Sequence, residues 1–242
     1  MKMKLKKIFF CFLMLTATTP AVAQDFPYIA PTATYTKPDG TTDEGESVSG
    51  NAPLIGHFAA NPANADEYDC YYEWRITMEG ETEPYLIRYE EETEVTFNRA
   101  GTHDIVCYAK FTKGDEVYEY TEEYWAETPH LRCTVSSSKL EMPNAFSPNG
   151  DDRNDIYRAK KDKYQSIIEF HATIYNRWGQ KLYEWDDISQ GWDGTYHGSP
   201  VKEGVYFVVV KAKGADGIEY NIKRDVNLMR GYTERTSTSG QE

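Results

Sequence analysis

The sequence predicts an all-β protein built from two small β-sandwich domains in tandem. Aromatic residues make up 14% of the 242 residues, and 19 residues are tyrosine, a composition typical of half-buried sheet surfaces. Short runs of alternating apolar residues, separated by Gly, Pro, Asn or Asp, recur from residue 53 to residue 230, as in short strands joined by turns. Charge divides the chain, because residues 24–141 hold 24 acidic and 8 basic residues whereas residues 142–242 hold 15 and 14. This asymmetry indicates two separate units.

Residues 1–23 predict a secretory signal peptide. A lysine-rich start precedes the apolar run Ile8–Leu15, and Ala21–Ala23 offers a small-x-small cleavage site. The run is far shorter than the roughly 20 residues of a membrane-spanning helix, so it predicts export to the periplasm and no anchor. The formal net charge of −13 disfavours a nucleic-acid partner, because phosphate binding depends on clustered lysine and arginine.

The first domain is predicted over residues 53–136, after an N-terminal linker segment at residues 24–52. Period-two alternation places apolar side chains on the inner face of each strand, and one hairpin turns at 113–115. The predicted inward-facing residues are Cys70, Tyr72, Trp74, Ile105, Cys107, Ala109, Phe111, Leu131, Cys133 and Val135. The order of these strands loosely resembles the immunoglobulin-like and PKD-like modules of bacterial surfaces, and this resemblance carries no functional motif.

Three cysteines, Cys70, Cys107 and Cys133, remain after the predicted leader. Export permits a disulfide, but an odd number leaves at least one free thiol. One pair among the three, or no disulfide at all, is compatible with the sequence, and the three pairings stay open. The cysteines lack the close ligand spacing of zinc motifs.

The second domain is predicted over residues 143–232, after a linker at 137–142 and before a flexible tail at 233–242. One hairpin is expected around the turn 176–179 and a second around 214–217, where Asp-Gly permits positive φ. Between them, Trp192 is expected to anchor a glycine-rich loop to the core.

Five short stretches of the second domain carry its most specific signal. In chain order they are MPNAFSPNGDDRNDIY, YNRWGQKLYEW, GWDGTYHG, EGVYFVVVKAKG and RDVNLMRG. Over residues 142 to about 232 they closely resemble the gliding-motility-associated C-terminal domain, the type B sorting domain of Bacteroidetes type IX secretion substrates. The resemblance implies an immunoglobulin-like β-sandwich that the outer-membrane translocon of that system recognises. It also implies delivery through the periplasm to the cell surface, the outer membrane or the medium.

The resemblance assigns motif positions residue by residue. They are Pro143, Asn144, Phe146, Pro148, Asn149, Gly150, Asp151, Asn154, Asp155, Asn176, Arg177, Trp178, Gly179, Gln180, Trp192, Asp193, Gly194, Gly204, Val205 and Tyr206. The sequence departs from the family at Asp152, where glycine is usual. Aspartate tolerates positive φ better than a β-branched residue, so we expect the loop to keep its geometry.

The opening loop also gathers oxygen-bearing side chains. Asp151, Asp152, Asn154 and Asp155 are potential calcium ligands, although their spacing lacks the alternate acids and distal glutamate of an EF-hand loop. The alternative is a turn whose Asn and Asp side chains bond back to the backbone. The second interpretation is favoured.

No catalytic motif is present, so the sequence predicts a non-enzymatic protein without a cofactor. The five histidines, His57, His103, His130, His171 and His197, are scattered without metal-ligand spacing. Two hypotheses for function remain. In the first, the C-terminal domain is the secretion signal of a surface protein whose N-terminal module binds an unknown ligand or is structural. In the second, the protein is an accessory or signalling component of the secretion system that acts through its C-terminal domain. Translocon and outer-membrane proteins are the expected partners in both.

Overall fold

The computed structural model describes residues 26–231, so the predicted signal peptide and the predicted tail at 233–242 lie outside the described residues. The chain divides into two compact units. The N-terminal unit comprises residues 26–97 and 101–135, and the C-terminal unit comprises 98–100 and the residues from 136 onward. Between residues 26 and 231, no helix combines the length and the apolar composition needed to cross a membrane.

Ten strands and one helical turn form the N-terminal unit. They are β1 (Thr32–Thr36), β2 (Thr42–Glu44), β3 (Ser47–Gly50), β4 (Leu54–Ala59), β5 (Asp69–Met78), β6 (Leu86–Arg88), β7 (Glu92–Phe97), β8 (Gly101–Lys113), β9 (Glu116–Tyr120), α1 (Glu122–Trp125) and β10 (Leu131–Val135). One sheet has the order β2-β1-β4-β7, and the other has the order β3-β10-β8-β5-β6 with β9 also paired to β8. Between residues 26 and 135, the pairing of β3 with β10 is parallel and the other strand pairings are antiparallel. This all-β architecture confirms the predicted fold class.

The core of the N-terminal unit follows the predicted alternation. Trp74 on β5 is fully buried and its ring lies 5.6 Å from that of Phe58 on β4, so the two sheets meet through these residues. The predicted inner faces of β8 and β10 are buried throughout. Burying alternate side chains of each strand is what closes two antiparallel sheets over one core.

Two predictions about this unit were wrong. The segment 24–52 is more than a linker, because β1, β2 and β3 lie within it and extend both sheets. Cys70 is exposed, whereas Tyr72 and Trp74 are buried as predicted. Cys70 is the second residue of β5, and its thiol lies 3.3 Å from the carbonyl oxygen of Tyr68 in the preceding turn.

All three cysteines are free thiols, which corresponds to the alternative without a disulfide. Cys107 and Cys133 are buried on the adjacent strands β8 and β10. Burial raises the pKa of each of these two thiols to about 12. A thiol that stays protonated is a poor nucleophile, so both act as small apolar core residues.

Between residues 136 and 231, nine strands form the C-terminal unit. They are β11 (Lys139–Leu140), β12 (Ala145–Phe146), β13 (Tyr164–Gln165), β14 (Ile167–Tyr175), β15 (Lys181–Trp185), β16 (Thr195–Tyr196), β17 (Ser199–Pro200), β18 (Gly204–Gly214) and β19 (Glu219–Leu228). A 3-10 turn at Lys161–Lys163 precedes β13. The main sheet has the order β12-β19-β18-β14-β15, and two short pairs, β11 with β13 and β16 with β17, complete the unit. Both predicted hairpins, β14–β15 and β18–β19, are confirmed.

Residues 139–140, predicted to lie in a linker, instead form β11. This strand pairs with β13, and Leu140 is buried in the core of the C-terminal unit. The same core contains the inner faces of β14, β18 and β19, covered by Tyr157 and Trp192 from the irregular segments. The C-terminal unit therefore begins before Pro143.

Candidate functional site

Four aromatic residues of the motif region form one buried cluster. The ring of Trp192 lies 5.3 Å from Phe146 and 5.1 Å from Tyr206, and Phe146 lies 5.7 Å from Tyr157. All four side chains are buried. Ring pairs at such separations add to the stabilisation from burial alone. The cluster joins β12, β18 and the loops between them into one structure.

Hydrogen bonds satisfy the polar edges of this cluster. Tyr157 Oη donates to the carbonyl of Pro143 (2.9 Å), and Trp192 Nε1 donates to the carbonyl of Thr195 (2.7 Å). The backbones of Tyr157 and Trp192 exchange two hydrogen bonds of 2.8 and 3.1 Å. Burial also raises the pKa of Tyr157, so its hydroxyl stays a neutral donor. The opening loop and the Trp192 loop are thereby tied to each other.

The opening loop is closed by the carboxylate of Asp155. Its Oδ1 accepts hydrogen bonds from the backbone N–H groups of Asn149 (2.8 Å) and Gly150 (2.9 Å), and its Oδ2 accepts one from Asp152 (2.8 Å). These donors, Gly150 first, lower the pKa of Asp155, because hydrogen bonds to a carboxylate favour its charged form. Asn149 and Asp151 add further side-chain bonds to the backbone of the same loop.

This geometry corresponds to the self-bonded turn, the favoured interpretation of the loop. Both oxygens of Asp155 are occupied by backbone donors, which leaves them badly placed to ligate calcium. Among residues 26–231, no group of three or more His, Cys, Asp or Glu side chains could hold a metal ion. Asp152 has φ of 62° and Asn154 has φ of 51°, so the position where the family usually has glycine does require the left-handed region. Aspartate adopts it here, as expected.

Replacing Asp155 with asparagine should loosen this loop without unfolding the unit. The amide group keeps one uncharged acceptor oxygen, so at least one of the N–H groups of Asn149, Gly150 and Asp152 loses its bond and the others bond more weakly. These amides should therefore exchange hydrogen faster. In the unaltered chain, the pKa of Asp155 lies below the ordinary aspartate value of about 3.9. The contribution of its carboxylate to the stability of the loop is therefore fully present above about pH 3.9 and is lost only as the pH falls below that value. Asp152→Asn is the control, since it removes the same charge from the same loop without removing an acceptor of these amides. Equal exchange rates in the two variants would contradict this role for Asp155.

The second loop is shaped by Asp193 and Gly194. Oδ1 of Asp193 accepts bonds from the backbone N–H (2.9 Å) and hydroxyl (2.8 Å) of Thr195. Gly194 has φ of +80°, and a Cβ there would lie 3.0 Å from Pro148 and 3.2 Å from the guanidinium of Arg230. That guanidinium donates to the carbonyl of Gly194 at 2.9 Å. Glycine is required here by both backbone conformation and close packing.

The turn between β14 and β15 is built by Asn176. Its Oδ1 accepts from the backbone N–H groups of Trp178 and Gln180, each at 3.0 Å, and its Nδ2 donates to the Gln180 side chain at 3.0 Å. Gly179 completes the turn with φ of 80°. Asn176, Gly179 and Gln180 therefore have structural roles within the turn itself.

Arg177 and Trp178 project from this turn. The Trp178 side chain is 76% exposed, and the guanidinium of Arg177 lies 4.4 Å from the centre of its ring. Tyr175 precedes the turn and pairs with Phe207 on β18, so Phe207 and the neighbouring Val205 lie at the same end of the sheet. These two residues are 45% and 49% exposed. Exposed apolar groups concentrated at one end of a sheet are typical of interaction sites.

A comparison with known families matches the region that holds these loops. Residues 140–223 match the CHU_C type IX secretion signal domain. The match confirms the resemblance identified from the sequence and covers about a third of the chain. A secretion signal domain of this type implies interaction with the secretion system and export across the outer membrane.

Two solved structures show remote similarity to the chain. The chain is similar to the Bacteroides ovatus mixed-linkage glucan utilization locus SGBP-B in complex with mixed-linkage heptasaccharide, at 14% identity and a TM-score of 0.27, over 85% of this chain and 48% of that one. It is also similar to a tetra-tandem repeat in the extending region of a large adhesion protein, at 10% identity and a TM-score of 0.24, over 84% of this chain and 67% of that one. The chain thus spans about half the length of the Bacteroides ovatus structure. No curated protein matches the sequence.

Within the secretion signal domain, the motif residues separate into two groups. Phe146, Asp155, Trp192 and Gly194 maintain the fold, whereas Arg177 and Trp178 face solvent. Sequence reasoning missed the exposure of Phe207, although the alternation of β18 could have placed it on the outer face. The five histidines lie on separate elements, as their spacing suggested, and His171 contacts Asp186 at 2.6 Å.

Proposed function

We propose that this is an exported surface protein of a Bacteroidetes bacterium whose C-terminal unit is the recognition signal for type IX secretion. The match of residues 140–223 to a secretion signal domain is the observation that carries the proposal. The predicted leader at residues 1–23 supplies the step into the periplasm. The N-terminal unit is then a non-catalytic binding or structural module, and the outer-membrane translocon is the partner of the C-terminal unit.

The exposed pair Arg177 and Trp178 is the proposed contact with the secretion machinery. An exposed tryptophan contributes little to folding, because its ring keeps most of its contact with water in the folded state. Tryptophan and arginine are, however, the residues most often found at binding hot spots. The Asn176 turn fixes the backbone that carries both side chains, which reduces the entropy lost on association.

The test of the sorting role is surface proteolysis of intact cells. The full-length protein is compared with a chain that ends at Val135, the last residue of β10 and of the N-terminal unit. We expect the full-length protein to be cleaved by external protease and the truncated chain to remain folded and protected in the periplasm. If both forms remain protected inside, the C-terminal unit is not an export tag. The alternative, an accessory or signalling component of the secretion system, would then be preferred.

Trp178→Ala should reduce surface delivery while leaving stability within about 0.5 kcal/mol of the unaltered protein. Loss of a hot-spot tryptophan costs about 2 kcal/mol or more in binding, so affinity for the translocon should fall by more than about tenfold. The readouts are protease-accessible protein on intact cells and the urea midpoint of the purified chain.

The matched control is Ile218→Ala. Ile218 is another exposed apolar residue, at 51% against 76% for Trp178, and lies in the turn between β18 and β19. We expect this variant to reach the surface normally. Equal delivery of the Trp178 and Ile218 variants would show that the exposed tryptophan is not the contact.

A further inference from the structure

A groove of about 650 Å³ lies beside the opening loop of the C-terminal unit. Its apolar lining comes from Pro143, Phe146, Ile156, Ala159 and Tyr164. The groove is open to solvent and no part of it is used by the Arg177–Trp178 turn. Its volume is in the range of known ligand and peptide sites.

The rim of the groove is strongly basic. Arg153, Arg158, Lys160 and Lys161 all contribute to its lining, and all four are exposed. Within residues 26–231, none of the four has a carboxylate within ion-pair distance. Arg158 donates one bond to the carbonyl of Ser189 at 2.9 Å, which fixes the direction of its guanidinium. Four cations around one cavity create a positive local field although the whole protein is acidic.

The two acids that also line the groove do not neutralise this field. Asp155 directs both carboxylate oxygens at backbone N–H groups of its own loop. Asp155 nevertheless keeps its negative charge, as does Asp152, so four cations face two carboxylates at the groove. The net charge at the groove is positive, whereas the N-terminal unit is acidic.

We propose that this groove binds an extended acidic peptide segment of a partner protein. Carboxylates at alternate positions would meet the arginine and lysine side chains at the rim, and apolar side chains between them would pack on the floor. Arginine guanidinium groups bind carboxylates through paired hydrogen bonds, which gives geometric specificity in addition to charge. The inference rests on the proposed function, because it names the chemistry of a partner that the C-terminal unit would meet during export.

The apolar floor favours a peptide over a free phosphate or a lipid headgroup. A phosphate would use the cations and leave the partly exposed side chains of Pro143, Ile156 and Tyr164 without contacts. A lipid surface would meet exposed cations on a convex face, whereas these surround a concavity. A peptide with alternating acidic and apolar side chains uses both parts of the groove, since period-two alternation presents the two kinds of side chain to opposite sides.

The test is binding of a fluorescein-labelled peptide of about ten alternating Glu and Leu residues, the length of an extended segment that could occupy such a groove. Fluorescence anisotropy is measured with the mature chain, residues 24–242, at about 0.05 M and about 0.3 M salt, because ionic contacts weaken as screening increases. Reversing two rim charges, with Arg153→Glu and Lys161→Glu, should weaken binding by more than about tenfold. The milder pair Arg153→Gln and Lys161→Gln should give an intermediate loss, and circular dichroism checks that each variant is folded.

The control carries the same change in net charge at another site. Lys211→Glu with Lys223→Glu alters two exposed lysines on β18 and β19, on the outer face of the main sheet. We expect this pair to change affinity by less than about twofold, since these charges lie outside the groove. Equal losses in the rim and control variants, or no binding by the unaltered chain, would overturn the proposal. Tighter, rim-dependent binding to anionic phosphatidylglycerol vesicles than to the peptide would also overturn it, in favour of a lipid.

Surface proteolysis of cells that express the same variants separates the two proposals. If the Val135 truncation abolishes delivery but the rim variants bind peptide normally, the groove proposal fails and the sorting role stands. If peptide binding depends on the rim while the truncated chain still reaches the surface, the sorting role fails and the groove remains a binding site.

Discussion

Trp192→Ala is expected to destabilise the C-terminal unit by about 3–5 kcal/mol, the usual cost of replacing a fully buried tryptophan by alanine. The change removes the ring that contacts Phe146 and Tyr206 and the donor to the carbonyl of Thr195. It leaves a cavity between the main sheet and the loops that cover it. Because a few kcal/mol is a large part of the stability of a small domain, a substantial unfolded fraction should appear.

The measurement is hydrogen exchange of the β18 amides together with urea denaturation of the full chain. Trp192→Phe is the control, because it keeps an aromatic ring in the cluster and loses the indole donor, so its cost should be smaller. A Trp192→Ala cost below about 1 kcal/mol would contradict a central packing role. Surface delivery should also fall, through loss of the folded unit, whereas Trp178→Ala should lower delivery with the fold intact.

This contrast between two tryptophans marks a limit of sequence reasoning. Trp178 and Trp192 both belong to the recognised motifs and both follow polar, turn-forming segments. One is exposed and the other is fully buried, because Trp192 faces β18 and Phe146 while the Asn176 turn extends beyond the sheet. Membership of a motif does not tell whether a side chain is exposed or buried, because tertiary contacts decide that.

Most of the fold was predictable because alternation and turn residues act locally. The buried faces of β8 and β10 and the turns at 176–179 and 214–217 follow from a period of two and from Asn and Gly chemistry. Strands β1, β2 and β3 were missed, since they are three to five residues long and mostly polar. β3 forms because β10 offers it a partner far along the chain, whereas β1 and β2 pair with each other as a short hairpin. The basic rim from Arg153 to Lys161 was missed for a related reason. Irregular backbone has no regular spacing of side chains, so the sequence does not show which of its residues lie on the same face.

In the N-terminal unit, Trp74→Ala should have an effect as large as that of Trp192→Ala, about 3–5 kcal/mol. Trp74 lies on β5, between β8 and β6 of one sheet, and contacts Phe58 on β4 of the other. Its Nε1 donates to the carbonyl of Glu90 at 3.0 Å. Truncation therefore removes an inter-sheet contact and also leaves that carbonyl without this donor, which adds to the cost of the cavity.

Two comparisons divide this cost into its parts, each measured by urea denaturation. Trp74→Phe keeps the ring contact across the sheets and removes the donor, so it should lose about 1 kcal/mol from the hydrogen bond plus a smaller packing term. Tyr71 lies on the same strand but on its outer face, where it is exposed and its hydroxyl donates a hydrogen bond of 2.9 Å to Glu73. Tyr71→Ala should therefore cost at most about 1 kcal/mol of stability. If Tyr71→Ala were as costly as Trp74→Ala, the two faces of β5 would not differ as the structure requires. A small Trp74→Ala cost would instead mean that the sheets are held together elsewhere, through Phe97 or Phe111, since these are the other fully buried aromatic rings on β7 and β8.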